Sequence, residues 1–481
     1  MGETYRKPHA IMIALPYQGH ITPFVNLAIK LASKSFVITF VHLEYIHQTL
    51  FGSKNEADLF SKERESGLDI RYTTISDGFP LEFDRVLHSD EYWECMLRDF
   101  PARVDEFIAK TMDSEPFLTH FLIADTFYTW LQTIAKKYNL INVSFWTEPA
   151  LVFSLAYHLD LLKENGHFPC KDNIDEEINY LPGVASISSK DLMSFLKETD
   201  ETTIVNKVVP KAFEQVKRAD FILHNTIHEL ESEILSALNK IQPNYAIGPI
   251  NFSKNLAKTI TNKSLRAESD CINWLNSKSP GSVLYISFGS FVQTSKQVIE
   301  EIAYGLLLSE VNFIWVVRSD TVGSGDANIL PNGFEDEVKG RGLIIPWCDQ
   351  IMVLSNPAVG GFLTHCGWNS ILESVWSGIP MICYPLSYDQ PTNRKLVVDD
   401  WKIGINLCDG GSIDRNTVAE KIKSLISGPS SEAALKHEVK KVNGILENAL
   451  GADGSSEKNF DQFVNELKAK LNCGNEEVST I

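Results

Sequence analysis

The chain has 481 residues, too many for one hydrophobic core and enough for roughly two to four domains of about 100–200 residues. Hydrophobic residues make up 44% and charged residues 22%, proportions of a soluble globular protein rather than a disordered or fibrous one. A formal net charge of −18 opposes general binding to nucleic-acid backbones or anionic lipid faces, while a local site can still hold a small anion. No run reaches the ~18–20 apolar residues of a membrane span. The apolar residues 10–15 are too short, and too soon followed by Pro16 and Gly19, for a secretory signal. Arg6 stands where a myristoylation signal needs Ser or Thr, so a cytoplasmic chain is expected, with chance sequons at Asn142, Asn251 and Asn262. The eight cysteines are scattered without a C-x-x-C pair and are expected as reduced thiols.

Residues 10–15 predict a strand buried on both faces, followed by the turn Tyr17-Gln18-Gly19-His20-Ile21. Thr22 is the expected N-cap and Pro23 the first residue of the next helix, with Phe24, Leu27 and Leu31 on its apolar stripe. Residues 36–42 predict another strand, and the pattern recurs at 117–124, an apolar run ending at Asp125 and leading into a helix through Lys137. After Ile247-Gly248-Pro249 the texture changes to a polar, Lys- and Ser-rich stretch that reads as an interdomain linker. The alternation restarts with a strand at 283–288 closed by Gly289-Ser290, then a helix up to Leu308 opened by the capping box Thr294-x-x-Gln297. Further strands are expected at 312–317, 343–345, 359–363 and 380–384. Residues 455–471 carry Phe460, Phe463, Val464 and Leu467 at helical spacing, a helix expected to dock elsewhere on the chain. The expected architecture is α/β, with two doubly wound parallel sheets. Residues 1–250 form the first domain, 251–270 the linker, 271–454 the second domain, and 455–481 a terminal helix packing back on the first.

In open parallel sheets, ligands bind beyond the carboxyl ends of the strands. His20 follows the first strand and Asp125 ends the run at 117–124, so both belong to one edge of one sheet. The pair fits an imidazole oriented and charge-balanced by a carboxylate; a turn residue and a helix cap are the alternative. In the second half, Gly360-Gly361-Phe362-Leu363-Thr364-His365-Cys366-Gly367-Trp368-Asn369-Ser370 runs from a strand into a helix N-terminus, whose free N–H groups suit a phosphate. His365, Asn369 and Ser370 add side-chain donors, and Glu373 either completes an S-x-x-E capping box or accepts from a ribose diol. Neither G-x-G-x-x-G nor G-x-x-x-x-G-K-[ST] occurs, which argues against a nicotinamide dehydrogenase and a P-loop nucleotidase. Around His224, His228 and Glu229 a zinc-protease helix is not expected, because Asn225 stands where its Glu belongs.

Residues 347–390, with their Trp start, HCGWNS centre, Glu373 and terminal Asp-Gln, resemble the signature box of plant family 1 UDP-glycosyltransferases, which act on secondary products. The resemblance extends to Gly19-His20-Ile21-Thr22-Pro23, Asp125, Ile247-Gly248-Pro249 and Ser287-Phe288-Gly289-Ser290, and so covers nearly the whole chain. It implies a GT-B fold of two facing Rossmann-like domains. It also implies that Trp347 stacks on uracil with Gln350 beside the nucleoside, and that Glu373 holds the ribose hydroxyls. Ser290, His365, Asn369 and Ser370 then bind the diphosphate, while Trp368, Asp389, Gln390 and Thr147 contact the sugar. Cys348-Asp349 and Ser387-Tyr388 depart from the usual box, and Gln390 resembles users of glucose.

The implied reaction is inverting transfer of glucose from UDP-glucose to a hydroxyl of a small lipophilic plant metabolite: a phenolic, flavonoid or terpenoid. His20 acts as base and Asp125 as its partner. No cofactor or metal is expected, since the chain has no Asp-x-Asp and a helix N-terminus takes over the charge stabilisation. Expected partners are the UDP-sugar and the acceptor, bound by a monomer. Trp146, Thr147, Tyr128 and the turn at 76–80 are expected around the acceptor, with the sugar's 6-hydroxyl as the alternative place for Thr147. A UDP-sugar epimerase and a non-catalytic UDP-sugar-binding protein are the competing readings.

Overall fold

Successive residues of the first strand alternate between two apolar clusters: Ala10, Met12 and Ala14 enter one, Ile11, Ile13 and Leu15 the other. A strand covered on both sides needs no polar face, which is why this run is apolar at every position. The computed structural model describes residues 6–52, 58–169, 176–200, 202–252, 266, 269–322, 329–408, 412–428 and 431–478. Most of the expected linker, at 253–265 and 267–268, lies outside the described residues. The first half contains β1 (Pro8–Ile13), β2 (Val37–Leu43), β3 (Ile70–Ile75), β4 (Thr119–Asp125), β5 (Ile141–Trp146), the short hairpin β6 (Glu177–Ile178) and β7 (Ile187–Ser188), β8 (Phe221–His224) and β9 (Asn244–Ala246). Seven of these form one parallel sheet in the order β3-β2-β1-β4-β5-β8-β9. The second half contains β10 (Val283–Ser287), β11 (Asn312–Val316), β12 (Gly342–Ile345), β13 (Val359–Thr364), β14 (Met381–Cys383) and β15 (Gly404–Asn406), a parallel sheet in the order β12-β11-β10-β13-β14-β15.

Each sheet reverses its strand order beside its first strand, and there the strand ends are level. Ile13 pairs with Ala124 across β1 and β4, and Ser287 with Thr364 across β10 and β13. These two reversals are where a doubly wound sheet opens a crevice for a ligand.

The expected strands are present with slightly shifted ends, but two helix starts differ from expectation. The helix after β1 runs over Gln18–Ser33 with Tyr17 as N-cap, because His20 N and Ile21 N both reach back to Tyr17 O at 2.9 Å. Thr22 and Pro23 are therefore inside the helix rather than at its start. Pro23 has no N–H for the carbonyl four residues before it, so Gly19 O is left without its helical donor. At the helix Lys296–Ser309 the cap is Ser295, whose Oγ accepts from Val298 N at 3.3 Å. Thr294 is instead held in a bridge to Val322.

The helix Ser455–Val478 carries Phe460, Phe463, Val464, Leu467 and Leu471 into the cluster that contains Phe24, Leu27 and Phe221 of the first half. Lys30 pairs with Glu457 at 2.7 Å and lies 4.5 Å above the Phe460 ring. Phe463 is fully buried, edge-on to Phe221 at 5.5 Å. Phe463→Ala is expected to cost about 3–5 kcal/mol of unfolding free energy. Urea denaturation checks this; a loss below ~1 kcal/mol means that the helix is not integral to the first core.

Candidate functional site

The two crevices face one another. From the first sheet, β1 delivers His20 in the opening turn of its helix and β4 delivers Asp125 at its carboxyl end. His20 Nδ1 lies 2.7 Å from Asp125 Oδ2, with side-chain exposures of 16% and 1%. A carboxylate accepts only, so Nδ1 carries the proton and Nε2 presents a lone pair to the cleft. Asp125 Oδ1 accepts from Phe127 N at 3.1 Å, which fixes the carboxylate plane. Thr147 Oγ1 lies 3.0 Å from the same Nδ1.

From the second sheet, β13 ends at Thr364, and His365-Cys366-Gly367 turns into the helix Trp368–Trp376, with Cys366 at φ 68°. Gly367 is the N-cap, so Ser370 and Glu373 are not a capping box; both lie farther along the helix and face Gln350. Gln350 Nε2 donates to Glu373 Oε2 at 2.7 Å and to Ser370 Oγ at 2.9 Å, while Gln350 Oε1 accepts from Tyr285 at 3.1 Å. Burial pushes the Glu373 carboxyl up to about 7, against the hydrogen bond from Gln350. Asp349 N-caps the helix Gln350–Leu354, accepting from Met352 N at 3.0 Å, and so fixes Gln350.

His365 is 7% exposed, and burial, with Arg318 nearby, lowers its pKa to about 4. It is a neutral imidazole with an unpartnered Nδ1. Gly289 sits against it at φ +72°, where a Cβ would come within 2.4 Å of His365 Nε2. The loop after β10 is braced by Arg318, a buried guanidinium that donates to Gly289 O, to Phe288 O at 3.4 Å and to Val292 O at 2.7 Å. Ser290 is positioned by that brace. Sequence reasoning missed Arg318 because nothing local distinguishes it from a surface arginine.

A cavity of about 190 Å³ is lined by Trp347, Gln350, Glu373, Ser370, Asn369, Trp368, His365 and Ser290 from the second half, and by Gln18, Gly19 and Thr22 from the first. A second cavity, of about 290 Å³, contains His20, Thr147, Asp389 and Gln390 and has an apolar wall including Trp93, Phe127, Phe195, Val208 and Phe291. Gly19, Ser290, His365, Gly367, Trp368 and Asn369 line both, so the two form one trough. The structure thus brings every expected donor-side residue and His20 into that trough, with Asp125 directly behind His20. Burial raises the Asp389 carboxyl to about 6, opposed by Asn393 Nδ2 at 2.5 Å. Gln390 Oε1 accepts from Leu386 N and Ser387 N, which fixes the loop before it.

Trp146, Tyr128 and the turn at 76–80 do not line the second cavity. The Trp146 indole donates to Pro149 O at 2.9 Å and the Tyr128 hydroxyl to Ala14 O at 3.0 Å, both inside the first half. Asp77 of the turn is ion-paired with Arg85 at 2.6 Å. The aromatic wall went unread because its residues come from separate elements. Within it, only the stripe Ile204, Val205, Val208 and Val209 on the helix Ile204–Val216 had a local signal. Tyr388 is at the rim, its ring 6.1 Å from Phe291, while its backbone is tied to Ser194. His224 belongs to β8 and pairs with Asn244 at 2.7 Å. The seven cysteines among the described residues are free thiols.

Residues 188–437 match the family profile described as UDP-glucoronosyl and UDP-glucosyl transferase. Over 473 residues, 97% of this chain and 96% of the relative, the sequence is 53% identical to UDP-glycosyltransferase 86A1 of Arabidopsis thaliana. This chain belongs to the plant family 1 UDP-glycosyltransferases. Solved structures agree on its GT-B fold. Phytolacca americana UGT2, complexed with UDP-2fluoro-glucose and pterostilbene, superposes with a TM-score of 0.76 at 25% identity, over 96% of this chain and 99% of that one. Os79 from O. sativa in complex with UDP gives a TM-score of 0.82 at 24% identity, over 95% and 100%. No helix of the described residues in this glycosyltransferase is long and apolar enough to cross a membrane.

Gly289→Ala is expected to destabilise the glycosyltransferase by more than about 1 kcal/mol, through its positive φ and the collision with His365. Gly52→Ala, also at positive φ but in open space, carries only the backbone part. Parallel urea titrations check the difference; equal losses would remove His365 from the explanation.

Proposed function

We propose that this enzyme transfers glucose from UDP-glucose to a hydroxyl of a small lipophilic acceptor, with inversion and without a metal ion. The observation that carries the reading is the His20–Asp125 hydrogen bond of 2.7 Å, which leaves a basic nitrogen facing the trough. The acceptor hydroxyl gives its proton to His20 Nε2 while its oxygen bonds to the anomeric carbon. The bond from that carbon to the diphosphate breaks on the opposite face, and UDP leaves. Asp125 offsets the charge gained by the imidazole, an arrangement worth roughly 10²–10⁴ in rate.

On the donor side, Trp347 offers an indole face to the uracil, and the Arg266 guanidinium, 5.8 Å from the ring centroid, covers part of the indole. Glu373, oriented by Gln350, accepts from the ribose hydroxyls. The N–H groups opening the helix Trp368–Trp376, with His365, Ser370 and Ser290 beside them, meet the diphosphate. Asp389 and Gln390, with Thr147, are nearest the sugar hydroxyls. The complex of the Phytolacca americana protein with both UDP-2fluoro-glucose and pterostilbene supports this pairing of a UDP-sugar with a small aromatic molecule. Cytoplasmic location and a monomeric enzyme accompany this reading.

Two outcomes test it. His20→Ala is expected to reduce turnover at least about a hundredfold while retaining UDP binding by calorimetry; a variant keeping a tenth of the rate removes His20 as base. Glu373 supplies the second test. Its folded pKa of about 7 lies above the ordinary 4.5, so the stability tied to its protonation is present below 4.5 and lost as pH rises through 7. A ribose diol prefers the ionised carboxylate, so UDP affinity is expected to fall as pH drops from 8 to 6. In Glu373→Gln that dependence is expected to shrink; an unchanged pH profile refutes the assignment.

A further inference from the structure

The acceptor-side cavity carries one ionisable group that the proposed reaction does not use. Glu148 follows Thr147 and lines the cavity with His20 and Asp389. Its carboxyl makes no hydrogen bond within the described residues, although it stands one residue before Pro149, the N-cap of the helix Ala150–Tyr157, close to that helix's free N–H groups. The capping place is taken by another side chain. Ala150 N and Leu151 N donate to Glu231 at 2.9 and 2.7 Å, and the Thr226 hydroxyl donates to the same carboxylate. Asp389, by contrast, is held by Asn393. Glu148 is therefore neither a cap nor part of an ion pair.

The wall around it is largely aromatic and aliphatic, and among the described residues no lysine or arginine lines the cavity. The charged groups acting on Glu148 are Asp389 and Asp125, both acids. Burial, reinforced by these two, pushes its carboxyl well above the usual carboxylate range. A neutral carboxyl both donates and accepts, and suits an uncharged hydroxyl. An incoming carboxylate finds acids and no cation.

Resting on the glycosyl-transfer reading above, we infer that Glu148 is a specificity-determining residue: it binds a second, uncharged hydroxyl of the acceptor and turns the cavity against acceptors that carry a carboxylate. An acceptor lacking that hydroxyl leaves the half-buried carboxyl unpaired, which is discrimination by a polar group.

The test compares three acceptors, a dihydroxy aromatic, its monohydroxy analogue and the corresponding hydroxy-aromatic carboxylate, with wild type, Glu148→Gln and Glu148→Leu. Wild type is expected to prefer the dihydroxy compound in kcat/KM and to use the carboxylate least. In Glu148→Leu the dihydroxy-to-monohydroxy ratio of kcat/KM is expected to fall about tenfold or more, through KM. Glu148→Gln, which keeps a donor and an acceptor, is expected to retain most of that ratio. UDP affinity by calorimetry verifies that each variant is folded. An unchanged ratio in both variants, or an equal loss of kcat on every acceptor, overturns the specificity role. If wild type transfers sugar to none of the three or to any other hydroxylated acceptor, the glycosyl-transfer reading itself fails, a result distinct from a lost preference.

Discussion

The site depends on one topological constraint: two parallel sheets that each reverse strand order next to their first strand, with the reversals facing across a cleft. The level ends of β1 and β4 set His20 beside Asp125, and those of β10 and β13 set Ser290 beside His365. Neither half is a complete site. The domains are joined where they meet by Trp368 Nε1 donating to Asn225 O at 2.8 Å and by Asn369 Nδ2 donating to Gly19 O at 2.7 Å. Ser194 and Asp191 add contacts to Tyr388, Thr392 and Arg394. A shift of either sheet by one register step would carry its polar groups away from the trough and exchange the buried faces of the strand.

Electrostatically the trough is closer to neutral than the chain around it, whose net charge is −18. Burial raises Glu373 and Asp389 toward neutrality and keeps His365 uncharged. The proposed diphosphate would meet fixed dipoles at such a surface rather than mobile charges. Preorganised dipoles of this kind cost no rearrangement when charge develops on the leaving group.

Strand positions, the two-sheet architecture and the residues flanking the cleft were legible because each leaves a local mark: apolar runs of strand length, glycine-containing turns, and polar residues directly after strands. What was not legible depends on neighbours distant in sequence. Tyr128 follows a strand end as His20 does and Trp146 closes β5, yet Ala14 O and Pro149 O draw their polar atoms inward. Arg318 is recognisable as a brace only once the carbonyls of Phe288, Gly289 and Val292 are seen to converge on it. Ser370 and Glu373 have the spacing of a cap, but the helix had already begun at Trp368. Spacing names the residues that can meet; it does not say which of two partners wins.

Pro23 shows how a defect in one element becomes a restraint between two. Because its nitrogen has no hydrogen, the carbonyl of Gly19 is free within its own helix and takes its donor from Asn369 across the cleft. The turn holding His20, the proposed base, is thus tied to the second half, and the tie exists only while the halves are together. Separation of the halves would remove a restraint from the residue next to His20, so the position of that imidazole depends on a contact its own half does not supply.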